Sequence, residues 1–305
     1  MAGARPPASR PPGPSPLAER PSRTAGAAHG LLRSGALLLL LASWLSAQTA
    51  PGTEAPLVGP PQGSLVVAGG GNLDREIWER FIHLAGGEEA RIVVIPTAAP
   101  DDDLPDRWRG YPALLAADTR DLVILHTRDR EEARGESFIE PLRRATGVWL
   151  PGGRPWRLVD AYLHTPVHRE LSALLERGGV VGGTSAGASI LASVLLRGDR
   201  TTNRVVFSPD YPEGFGFLER AAVDQHLSAR GREADLWEVL HLHPDLLGIG
   251  LDEGTALVVQ GDRAEVVGGG EVLFYDATHR ALRTHRLARG SVFDLGTRTA
   301  ATADR

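Results

Sequence analysis

The sequence of 305 residues contains no cysteine and, although it holds 33 basic side chains, no lysine: all 33 are arginine. The first absence removes thiol nucleophiles, disulfides and cysteine-based metal sites. The second removes a Ser-Lys dyad, a Schiff base and a phosphate-loop lysine. A serine nucleophile in this chain would have to draw its base from histidine or a carboxylate. Positive charge is also scarce. The net charge is −5, and residues 1–47 hold five Arg against one Glu, leaving 28 cations against 37 anions, or −9, for the rest. An acidic body argues against a nucleic-acid partner. Long apolar runs are missing too. The strongest, Gly35 to Leu45, is too short for an ordinary membrane span.

That run follows a Pro/Ala/Arg-rich basic leader and precedes Ser46-Ala47, a small-residue cleavage site. Residues 1–47 therefore read as a signal peptide of an exported, periplasmic or extracellular protein, with no stable membrane span after processing. Residues 48–63 are Pro/Gly-rich and are expected to form a flexible lead-in. A single domain is expected over 64–295, with a short tail over 296–305.

Within that domain the most informative stretch is Gly182-Gly183-Thr184-Ser185-Ala186-Gly187-Ala188-Ser189. A strand-like run, Gly179 to Val181, precedes it, and an apolar run, Ile190 to Leu196, expected to be helical, follows. Strand, small-residue turn with one serine, then helix is the layout of a nucleophile elbow, and Gly183 to Gly187 fits G-x-S-x-G. The turn is so sharp that its neighbours must be small. It projects the serine at a helix N-terminus, where backbone N–H groups can hold an oxyanion.

Further buried-strand runs occur at 64–68, 91–96, 122–125 and 147–150. Helical spacing occurs at 73–84, 104–117, 138–145 and 157–163. Apolar strands separated by helices predict an α/β fold with a mainly parallel central sheet and helices on both faces. After residue 220 come a helix, 236–242, and short strands at 247–251, 256–259, 264–267 and 271–275, expected as antiparallel additions at one sheet edge. Gly69-Gly70-Gly71 lacks the G-x-G-x-x-G spacing of a dinucleotide site and reads as a tight turn.

The candidate base is His226, in Asp224-Gln225-His226-Leu227-Ser228-Ala229-Arg230-Gly231-Arg232. A carboxylate, an amide and two arginines surround it at a strand end, a setting suited to a carboxylate-bearing ligand. Its imidazole is expected within about 3–4 Å of the Ser185 hydroxyl. His241 and His243 flank Leu242 before Pro244, and His164 and His168 are separated by Pro166. Neither pair has a metal-ligand layout, so no metal and no cofactor are expected. Asp199, just past the segment that Ser185 opens, is taken as the orienting acid, with Asp224 and Asp252-Glu253 as alternatives. The amides of Ala186 and of Gly153, in the turn Pro151-Gly152-Gly153-Arg154, are the expected oxyanion donors.

Together these residues resemble the cyanophycinase-like serine peptidases of peptidase family S51, relatives of dipeptidase E. The resemblance rests on four motifs in order: Gly147 to Tyr162, Gly182 to Ser189, Asp224 to Arg232 and Leu247 to Ala256. It implies a class I glutamine-amidotransferase-like sandwich with serine in place of cysteine, with Ser185 as nucleophile and His226 as base. It also implies hydrolysis of a peptide or isopeptide bond, with Asp224, Gln225, Arg230 and Arg232 binding substrate. A homodimer is compatible with it.

Two positions depart from the family pattern. Pro155 stands where members with cyanophycin activity have glutamine, and Asp235 where they have a third arginine. Both are associated with substrate recognition, which predicts an intact triad with poor action on the β-Asp-Arg polymer. Two other readings fit the elbow: an α/β-hydrolase-type esterase, and a catalytically inactive binding protein on the same fold.

Overall fold

The computed structural model describes residues 57–100, 119–278 and 282–301. The leader read over 1–47 and the helix expected over 104–117 lie outside these residues. Among the described residues no helix is long and apolar enough to cross a membrane.

The first five strands are β1 (Ser64–Ala68), β2 (Arg91–Val94), β3 (Asp121–Ile124), β4 (Gly147–Leu150) and β5 (Val180–Thr184). They form a parallel block in the order β1-β5-β4-β2-β3. All but the edge strand β3 are short apolar runs buried on both faces. In β1, Leu65 and Val67 enter one core while Val66 and Ala68 enter the other, as the two-residue period of a strand requires. Helix α1 (Arg75–Leu84) covers one face with Ile77, Trp78, Phe81 and Ile82. Helices α2 (Glu136–Arg144), α3 (Pro155–Tyr162) and α4 (Pro166–Glu176) pack into the core on the other. Helices on both faces are thus as expected.

The C-terminal strands divide in two, which corrects the expectation of additions at one edge. Strands β9 (Thr255–Gln260), β10 (Arg263–Gly268), β13 (Val292–Asp294) and β14 (Thr299–Ala300) do extend the first sheet antiparallel beyond β1. A second, five-stranded sheet, ordered β12-β11-β8-β7-β6, contains β6 (Ala192–Val194), β7 (Leu218–Gln225), β8 (Leu247–Leu251), β11 (Glu271–Asp276) and β12 (Arg283–Ala288). Its inner face, including Val223, Ile249 and Phe274, shares the large core with the first sheet. Its outer face, including Ala222, Leu273 and Tyr275, is covered by α6 (Asp235–Leu242).

Three further differences have local causes. The helix opened by Ser185 is a single turn, α5 (Ala186–Ser189), and the segment expected as helix over 190–196 turns into β6. A short run that is apolar all round does not distinguish strand from buried helix. The lead-in is pinned from Leu57 onward. Val58 is 2% exposed, its amide donates to Asp262 Oδ1 at 2.6 Å, and its carbonyl accepts from Glu219 at 2.7 Å. The tail expected from 296 supplies β14, so the domain exceeds 64–295 at both ends.

Register gathers the site. Ala68 pairs with Thr184 and Leu150 with Gly183, so the turns after β1 and β4 flank Ser185. Gln225 pairs with Leu251, which sets His226 beside the turn after β8. The loops at the C-terminal ends of these parallel strands meet, the usual place for a site in an open α/β sheet.

Candidate active site

Ser185 sits between β5 and α5 at φ 55°, ψ −115°, a backbone region disfavoured for any side chain larger than glycine's. Its neighbours make the turn sterically feasible. A Cβ on Gly187 would lie 1.8 Å from the Leu150 carbonyl oxygen, so only glycine fits there. The Ser185 amide donates to the Ala68 carbonyl at 3.0 Å, tying the elbow to β1.

The Ser185 hydroxyl lies 2.9 Å from His226 Nε2. His226 Nδ1 lies 2.5 Å from Glu253 Oε1. An ionised carboxylate only accepts, so Nδ1–H donates to Glu253 and Nε2 is left to accept from the serine hydroxyl. His226 has φ 55° and its amide donates to the Gly69 carbonyl at 2.8 Å. Burial lowers the His226 pKa below its ordinary 6.5; the Glu253 hydrogen bond opposes this, and Arg230 and Arg232 add to the lowering. The imidazole is therefore neutral and able to take a proton at pH 7.

The carboxylate in contact with His226 is thus Glu253, one of the alternatives, and not the expected Asp199. Asp199 Oδ1 accepts from the Thr201 amide at 2.8 Å, the Thr201 hydroxyl at 2.7 Å and the Thr202 amide at 2.8 Å. These bonds, the Thr201 hydroxyl foremost, hold its pKa low. It caps its own loop, as aspartate does when nearby amides are free. Glu253 lies in the turn that β7–β8 pairing brings to His226, a relation that sequence distance does not reveal.

Of the two expected oxyanion donors, Ala186 adjoins the serine directly, and Gly153 lies one residue beyond a glycine that contacts it. Ala186 is the first residue of α5, so its amide has no acceptor within the helix. A Cβ on Gly152 would be 3.2 Å from the Ser185 Cβ, and the adjoining Gly153 is exposed. This turn is anchored by the Arg154 amide, which donates to the Ala98 carbonyl at 2.8 Å.

Of the four expected substrate contacts, Arg230 is exposed and Gln225 faces the serine, its Oε1 being 3.5 Å from the hydroxyl. Asp224 and Arg232 are corrected. Asp224 is fully buried, and Arg232 is 5% exposed with Nη1 bonded to the Gln225 carbonyl at 2.9 Å. Strand alternation explains the split. Gln225 points to the inner face, toward Ser185 and Ser189, while Asp224 points to the outer face under α6.

The model of peptidase family S51 matches residues 65–267. The chain belongs to this family. It is 34% identical over 217 residues to a cyanophycinase of Geminocystis herdmanii (strain PCC 6308), covering 69% of this chain and 78% of that protein. A cyanophycinase of Trichormus variabilis (strain ATCC 29413 / PCC 7937) is 32% identical over 249 residues, covering 74% and 82%. In fold it is similar to the crystal structure of a peptidase from an acI-B1 Actinobacterium, with TM-score 0.61 and 24% identity, covering 77% of this chain and 98% of that one. This S51 protein is accordingly a serine-type peptidase. The esterase reading is set aside, since His226 and Glu253 follow strands of the second sheet rather than the far end of one long parallel sheet.

One feature of this S51 site was legible only as a turn. Gly69-Gly70-Gly71 forms the bed of the histidine and its acid. A Cβ on Gly70, which has φ 114°, would lie 2.3–2.7 Å from three imidazole atoms, and one on Gly71 would meet Glu253 at 2.8 Å. Gly70→Ala is therefore expected to displace the imidazole by on the order of 1 Å and to lower kcat/KM by about 10²-fold. Steady-state kinetics on a folded variant check this, and an unchanged kcat/KM would show that the bed does not position the ring.

Proposed function

We propose that this S51 peptidase hydrolyses peptide or isopeptide bonds of short, carboxylate-bearing substrates in the manner of cyanophycinases, through a Ser185–His226–Glu253 triad. The architecture is read as the glutamine-amidotransferase-like sandwich with serine at the nucleophile position. The single observation that carries the reading is the continuous chain of contacts, 2.9 Å from Ser185 to His226 and 2.5 Å from His226 to Glu253, set on a strained elbow.

The steps follow from the geometry. His226 Nε2 takes the hydroxyl proton as Ser185 Oγ attacks the carbonyl carbon. Negative charge develops on the carbonyl oxygen, for which the Ala186 and Gly153 amides are the proposed donors. His226, now doubly protonated and stabilised by Glu253, delivers its proton to the leaving amine. Water then enters and loses a proton to the same nitrogen as it attacks the acyl carbon; the bond to Ser185 Oγ breaks, the acid product leaves, and His226 returns the proton to the serine oxygen.

Substrate choice follows from which charges remain free. Arg230 is exposed beside the histidine and can grip a carboxylate. Arg232, turned inward, cannot. Asp235 does not face the site as a bare negative charge, because Arg197 holds it at 2.5 Å. Pro155 opens α3 and offers no side-chain hydrogen bond. A single exposed arginine beside the histidine, among the described residues, suits a short peptide better than a long polymer. A release assay on α- and β-linked aspartyl dipeptides and on cyanophycin tests this. The best short peptide is expected to exceed cyanophycin in kcat/KM by about tenfold or more, the effect of one lost charge-assisted bond. Equal efficiency on the polymer would refute the preference, and no release from any member would refute the reaction.

A further inference from the structure

Arg197 lies outside every motif of the sequence, yet it is the most buried arginine among the described residues. It is 2% exposed, and its backbone is held in the left-handed region at φ 62°. A buried guanidinium and a strained backbone persist only where the surroundings over-determine them. Here all five N–H donors are met. Nε donates to Asp224 Oδ1 at 3.2 Å and Nη2 to Asp224 Oδ2 at 2.6 Å, a side-on bidentate pair. Nη2 also donates to Asp235 Oδ2 at 2.5 Å. Nη1 donates to the carbonyls of Asn203 at 3.3 Å and Arg204 at 3.2 Å. Five donors in a planar fork match this set; the three of a lysine ammonium would not.

The network leads to the reacting atoms. Asp224 Oδ1 accepts the Gln225 amide at 3.0 Å and Arg232 Nη1 at 3.5 Å. Arg232 Nη1 is also 3.3 Å from Gln225 Oε1, the atom 3.5 Å from the Ser185 hydroxyl. His226 is the next residue, turned back toward Ser185 at φ 55°. Arg197 and Asp224 thus hold the last residues of β7 from the face opposite the serine, and Arg232 links Asp224 to the Gln225 side chain.

We propose that Arg197 is a positioning residue for catalysis, which acts through Asp224 to hold Gln225 and His226 in register with Ser185. The proposal rests on the triad reading above. It gives the 197–204 loop a role that Asp199 had been expected to fill: the loop serves the triad, but from behind the strand and through its arginine.

The test uses a fluorophosphonate probe, which reacts with an activated serine whatever the natural substrate. The second-order labelling rate and the melting temperature are measured for the unaltered protein, R197M, R197K and R197M/D224N. R197M leaves Asp224 buried with only Arg232. It is expected to melt roughly 5–15 °C lower and to label at least about tenfold more slowly. R197K is expected to label at an intermediate rate, because a point charge cannot reproduce the fork. The double variant removes the uncompensated charge and is expected to regain melting temperature but not labelling rate. A merely structural arginine would regain both. Labelling of R197M within twofold of the unaltered protein, or full recovery of the rate in the double variant, overturns the proposal. If R197M does not fold, the double variant decides by the same rate criterion. An unaltered protein that the probe leaves unlabelled overturns instead the triad reading, so the two failures are distinguishable.

Discussion

Ser185→Ala is expected to abolish peptide hydrolysis, with kcat falling on the order of 10⁴-fold or more while the melting temperature stays within a few degrees. The magnitude follows from what the side chain supplies. The hydroxyl is the only nucleophile set on the elbow and in contact with His226, and removing it leaves the histidine, acid and amide donors with no bond to form. Members of such a unit act together, so the loss of the nucleophile alone costs nearly the whole effect. Stability should hold, because the hydroxyl is half-buried and alanine fits the space. Alanine still has to adopt φ 55°, at little more cost than serine. Steady-state kinetics with the best dipeptide, together with fluorophosphonate labelling, check the result. Turnover near that of the unaltered protein would exclude Ser185 as nucleophile.

Glu253→Gln should give the second-largest loss, about 10²–10⁴-fold in kcat/KM. The fold of the turn is retained, but a carboxamide can donate to His226 Nδ1. That selects the tautomer with its proton on Nε2, which cannot accept from Ser185. The lower end of the range reflects the exposure of the Glu253 side chain, 43%, since solvent screens its charge more than that of a buried acid. The pH profile supplies an independent readout. His226 must be neutral to act as base, so activity falls as pH drops through its pKa, and the acidic limb lies below 6.5 because burial lowers that pKa. Glu253 is the neighbour that raises it. Removing the carboxylate should therefore move the acidic limb to still lower pH even as the rate drops. A limb that moves upward would show that the glutamate does not face the imidazole. Asp199→Asn, which alters only a loop cap, should leave both rate and limb close to those of the unaltered protein. The reverse ranking, with Asp199 dominant, would restore the acid suggested by chain proximity.

The same histidine has a consequence for stability. Its pKa is lower in the folded than in the unfolded chain, so folding is favoured by this group above 6.5. That contribution is lost as pH falls below 6.5 toward the folded value.

How much of this was written in the chain depends on how local each feature is. The elbow is local: glycine and alanine around Ser185 are required by backbone contacts a few atoms away, so the run Gly182 to Ser189 revealed both turn and nucleophile. The strands of the parallel block are local in the same sense, since each is a short apolar run between turn residues. His226 was found because its polar neighbours adjoin it in sequence. The absence of cysteine and lysine likewise narrowed the chemistry before any fold was considered. The acid could not be settled that way. Asp199 is 14 residues from Ser185 and Glu253 is 68, yet the pairing of Gln225 with Leu251 brings the distant one to the imidazole. Only tertiary register sets which loops meet. Burial was likewise undecided. Asp224 and Gln225 are adjacent, and strand alternation sends one behind the sheet and the other toward the serine; which face was which depended on a second sheet that short apolar runs do not disclose. Gly70 and Arg197 were silent for the same reason. A glycine's necessity lies in the ring that packs against it, and an arginine's in the carboxylates it meets, and both partners come from distant parts of the chain.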